Sequence, residues 1–118
     1  MDFQDLPKNL SRFGFGKCEK LEPLEKARVM EIVDFIEGRF QHQRNINQKR
    51  SSYGLKHKVE RAMGSYVANG ELIAAMYILD YKVEIDTPNA SFNVSESSIK
   101  DVDNENENNL KKSKYLPK

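Results

Sequence analysis

Cysteine is nearly missing from this chain and long apolar runs are absent; each shortage removes a class of protein. The single Cys18 rules out an intrachain disulfide, so nothing points to an oxidising compartment and a soluble, cytoplasmic protein is expected. No stretch approaches the roughly 20 apolar residues that cross a bilayer. Residues Met1 to Lys8 carry Asp2, Asp5 and Pro7, where a secretory leader needs a basic start and an apolar run. Gly14-Phe15-Gly16 lacks the rest of either nucleotide-binding fingerprint. Cys18, His42 and His57 match no zinc spacing, and residues 101–107 lack the glycine of a calcium loop, so neither metal nor cofactor is expected.

What is present is one domain's worth of chain, 118 residues, with 38% hydrophobic residues and a mean hydropathy of -0.73. That polarity implies that part of the chain does not fold. The formal net charge of +1 conceals strong segregation. Between Arg39 and Arg61 seven Lys or Arg stand against Glu60 alone, and between Glu84 and Glu107 seven Asp or Glu stand against Lys100 alone.

Hydrophobic spacing sets out the elements. Residues 1–20, with Pro7, Gly14 and Gly16, read as an irregular lead-in anchored by Leu10, Phe13 and Phe15. A helix starts at Glu22 or Pro23, and Val29, Ile32, Val33, Ile36 and Phe40 form its buried face. Residues 41–51 read as an exposed basic loop. Ser52 is the expected cap of a second helix, with Leu55, Val59 and Ala62 on one face and Gly64 at its end. Asn69 is the expected cap of a third helix that is apolar almost all round from Leu72 to Leu79, hence central.

The period then changes to two. Tyr81, Val83 and Ile85, then Ala90, Phe92 and Val94, predict a β-hairpin about a four-residue turn, Asp86 to Asn89. A short helix capped by Ser95 ends near Val102, and residues 103–118 are expected to be a disordered tail. The expected fold is therefore α+β and mainly helical: three to four helices with one β-hairpin, in a single domain over residues 21–102. The order helix, turn, helix, hairpin is that of a winged helix-turn-helix, yet the third helix offers almost no polar side chains to read base edges.

No catalytic constellation stands out. Cys18 has no histidine near it in sequence, and His57 and Glu60, three apart, could share a helix face but read better as an exposed ion pair. An enzyme is not expected. The basic stretch is the main functional clue: Arg39, Arg44, Lys49, Arg50, Lys56, His57, Lys58 and Arg61 suit phosphate contact, and Tyr53 among them suits stacking. Tyr53, Tyr66 and Asn93 are candidates for a protein contact.

The runs Tyr53-Gly54-Leu55-Lys56-His57, Tyr66 to Ala75 and Pro88 to Asn93 resemble a pattern in small uncharacterised proteins of phages, plasmids and genomic islands. The resemblance carries no activity and implies only a mobile-element setting. The expected function is a non-enzymatic accessory or regulatory protein that binds nucleic acid, without reading sequence, or a nucleoprotein complex through the basic 39–61 surface. The alternative is a protein-binding inhibitor of a host defence or restriction system, or a small dimeric adaptor, whose acidic 96–107 segment mimics phosphate charge. No membrane partner is expected, and a homodimer is compatible with either reading.

Overall fold

The computed structural model describes residues 1–16 and 22–115. Its elements are β1 (Leu10–Ser11), β2 (Gly14–Phe15), α1 (Lys26–Ile36), α2 (Ser52–Met63), α3 (Asn69–Ile78), β3 (Val83–Asp86), β4 (Asn89–Phe92) and α4 (Glu96–Tyr115). Four helices and an antiparallel β3–β4 hairpin give the α+β, mainly helical fold that the periodicity predicts.

Helix α3 is the axle of the domain. Every residue from Asn69 to Met76 is buried, and α1, α2 and β4 pack around it through Val29, Ile32, Leu55, Val59 and Phe92. A helix enclosed on all sides has no outer face for a DNA groove, so the winged helix-turn-helix order of elements does not extend to a reading helix.

The starts of α2 and α3 differ from expectation by one residue each, and each shift frees a side chain for tertiary work. Ser51, not Ser52, caps α2, accepting from the Gly54 N–H at 3.4 Å. Ser52 is instead buried, and its hydroxyl accepts from the Ala90 N–H at 3.0 Å, tying α2 to β4. Gly64 ends α2 in the left-handed region with φ 73°, as its position suggests. Ala68 takes the cap position of α3, where Glu71 accepts from the Ala68 N–H at 2.9 Å.

Asn69 opens α3 and serves as a junction. Its amide nitrogen lies within hydrogen-bond range of Phe13 O (3.4 Å), Pro88 O (3.3 Å) and Asn89 Oδ1 (3.0 Å). Within the lead-in, β1 and β2 form a hairpin of two-residue strands whose turn lies across the start of α3, while residues 17–20 lie outside the described residues. The Gly70 N–H donates to Arg12 O at 2.9 Å, and a Cβ on Gly70 would stand 1.7 Å from Ser11 O. Only glycine allows this approach. Leu10 and Phe15 anchor the hairpin in the core as expected, but Phe13 projects to solvent.

Helix α1 is shorter than expected at both ends, with Glu25 as its cap and Gly38, at φ 88°, just beyond its last turn. The loop after it is not free. Asn47 is buried and donates through its side chain to Val94 O (3.1 Å) and Glu96 Oε1 (3.0 Å), while its N–H donates to Phe92 O (2.8 Å). The alternation in β3 fails at Ile85, which is exposed because β4, and not β3, is the strand that packs on α2 and α3.

Helix α4 does not end near Val102 but continues to Tyr115; residues 116–118 of the expected tail lie outside the described residues. Ile99 and Val102 bury against the core, and the Asn106 amide donates to Lys58 O at 3.3 Å. Among the described residues, no helix is long and apolar enough to cross a membrane.

Candidate nucleic-acid interface

The cations of the 39–61 stretch do not form one open patch, because α4 supplies carboxylates to three of them. The Arg50 guanidinium grips Glu96 through Nε, at 3.1 and 3.2 Å from its two oxygens, and through Nη2. Lys58 Nζ lies 2.8 and 2.6 Å from the Asp103 oxygens. Arg39 stacks on the Phe35 ring at 4.0 Å, donates to Phe35 O at 3.0 Å, and stands 3.7 Å from Glu105. The Arg50 guanidinium holds the Glu96 carboxyl at about 2, and the Asn47 amide adds to the effect.

Two more members of the stretch turn to Glu60. Lys56 Nζ is 3.7 Å from Glu60 Oε1, and His57 Nδ1 is 3.3 Å from Oε2. Glu60 also accepts from the Val67 N–H at 3.1 Å, which pulls its carboxyl below the ordinary carboxylate range ahead of the help from Lys56 and His57. The His57–Glu60 pair is therefore part of a structural clamp on the α2–α3 turn. Only Arg44, Lys49 and Arg61 of the eight are exposed and without an ion pair among the described residues. The expectation of a single accessible surface through all eight is corrected accordingly.

Asn93 also leaves the list of contact candidates. It is buried, its Oδ1 accepts from the Lys82 N–H at 2.6 Å, and its Nδ2 donates to Gln43 O at 2.8 Å. These bonds stitch the 41–47 loop to the hairpin, an architectural task.

Tyr53 and Tyr66, by contrast, are exposed at 55% and 52%, and the structure sets them beside a third ring, Phe13, at 49%. Among the described residues, three of the five large hydrophobic side chains left in solvent thus share one region. Lys56 Nζ lies 5.5 Å from the Tyr53 ring centre and 4.8 Å from that of Tyr66. The Arg12 guanidinium lies 5.3 Å from the Phe13 ring centre and 6.0 Å from that of Tyr66. Phe13, Arg12, Tyr66, Lys56 and Tyr53 therefore run as alternating rings and cations.

Each part has a local cause. Tyr53, His57 and Arg61 stand at i, i+4 and i+8 on the outer side of α2, and the His57 ring meets Tyr53 edge-on at 4.8 Å. Tyr66 follows the Gly64 stop, and its carbonyl accepts from Arg28 Nη2 at 2.6 Å. Phe13 sits at the tip of the turn that Gly70 and Asn69 hold down. The Tyr53–His57–Arg61 spacing was readable in the sequence, whereas nothing in it brings Phe13 and Arg12 to the same place.

Among the described residues, no group of three His, Cys, Asp or Glu side chains is gathered to hold a metal. Cys18 lies outside the described residues. No family model, no curated protein and no solved structure matches the chain.

Proposed function

We propose that this protein is a non-enzymatic nucleic-acid-binding protein, of the accessory kind that a mobile-element setting implies, with its ligand lying along the outer face of α2. The observation that carries this reading is the row of half-exposed rings alternating with cations from Phe13 to Tyr53. Arg61, one helical turn beyond His57, and Lys49, just before α2, supply positive charge with no carboxylate partner among the described residues. Rings offer flat faces to bases and free cations offer contacts to phosphates, without reading base order. The acidic-mimic alternative has less support, because Glu96, Asp103 and Glu105 face the protein's own cations.

Fluorescence anisotropy with short labelled oligonucleotides tests the reading. Binding at low salt should weaken as salt rises, and the double change Lys49→Ala, Arg61→Ala should lower the log–log salt slope by up to about two units. Failure of DNA and RNA alike to bind at low salt would overturn it.

A further inference from the structure

Resting on that nucleic-acid reading, we infer that the ligand is a single strand whose bases stack on Phe13, Tyr66 and Tyr53, with stacking rather than phosphate contact supplying most of the affinity. A duplex hides its base faces in its own stack and is held chiefly through phosphates, each needing a cation free to displace a counterion. The cations nearest the rings are not free. Arg12 lies 3.2 Å from Glu22 and 3.8 Å from Glu71, and Lys56 is 6% exposed and 3.7 Å from Glu60.

What Arg12 and Lys56 do instead is link the rings. Lys56 contacts the rings of both Tyr53 and Tyr66, and Arg12 those of both Tyr66 and Phe13, so cation–π attraction ties the three rings together in advance. Their backbones are fixed as well. Phe13 is held through Arg12 O and its own carbonyl against the start of α3, Tyr66 through its carbonyl on Arg28, and Tyr53 within the first turn of α2. Rings already in place lose little freedom when a base arrives, which favours binding. A single strand presents successive flat faces of any sequence to such a row.

The absence of tryptophan makes the experiment direct, because the intrinsic emission comes from five tyrosines alone. The full chain is titrated with three probes of equal length: oligothymidine, an abasic deoxyribose-phosphate strand and a duplex. Oligothymidine should quench tyrosine emission and bind on the order of tenfold tighter than either other probe. Tyr66→Ala should lose on the order of tenfold in oligothymidine affinity and Tyr66→Phe should retain it, with circular dichroism unchanged in both.

Equal binding of all three probes would overturn the stacking inference and leave the phosphate-binding reading standing. Binding of none at low salt would sink both. Self-association that Tyr66→Ala abolishes, with no oligonucleotide bound, would assign the rings to a second copy of the chain and likewise overturn both.

Discussion

Glycine positions separate most sharply by what surrounds them. A Cβ at Gly70 would collide with the Ser11 carbonyl at 1.7 Å and with Arg12, so Gly70→Ala must lift the β1–β2 turn off α3. We expect a loss of at least about 2 kcal/mol in urea unfolding, together with displacement of Phe13 from its place across Arg12 from Tyr66. Gly54 lies inside α2 with open space where its Cβ would be, the nearest atom being Ser51 Oγ at 4.0 Å. Gly54→Ala should therefore stabilise the protein by about 0.5–1 kcal/mol. Glu96 belongs to this scale too. Its carboxyl falls from an ordinary 4.5 to about 2 beside Arg50, so its contribution is complete above the unfolded value and lost as pH drops through about 2. Glu96→Gln should cost about 1–2 kcal/mol at neutral pH, both partners being about a quarter exposed, and should flatten the acid limb of stability between pH 4.5 and 2 in urea melts.

Among the elements, α3 was the most legible, since an apolar run from Leu72 to Leu79 has nowhere to go but the middle. The hairpin is legible from its alternation, although only β4 packs on the helices, which leaves Ile85 outside. The first hairpin escaped because strands of two residues carry no period, and what holds them comes from Asn69 and Pro88, far along the chain. The part of α4 beyond Val102 is not legible in the sequence because Asp-Asn-Glu-Asn-Glu has no apolar residue to bury. The missing information was the partner: Lys58 and Arg39 face Asp103 and Glu105, so the basic and acidic blocks of the sequence are complements of each other. Asp103→Asn with Glu105→Gln should free both cations, loosen the described part of α4 beyond Val102, and raise the salt slope of oligonucleotide binding by up to about two units. An unchanged slope, measured by anisotropy, would mean that these cations point away from the ligand.

For the whole molecule, internal pairing sets how strongly an external polyanion can be held. Seven open Lys and Arg side chains on one single-strand site would give a log–log salt slope of about five, whereas Lys49 and Arg61 alone give roughly one to two. We expect the smaller value in a salt titration of oligothymidine binding. A slope near five would show that the pairs between α4 and the 39–58 segment break when the ligand binds.

The knot of bonds at Asn69 also governs the order in which the polypeptide can acquire its shape. As the nascent chain leaves the ribosome, Phe13 emerges 56 residues before the amide that will hold its carbonyl, and Phe15 must wait longer still for Pro88. The earliest-made segment thus settles only after α2 and α3 are complete, and pulsed hydrogen exchange during refolding should find the Gly70 amide, which needs Arg12 from far along the chain, protected only after the locally bonded amides of α2.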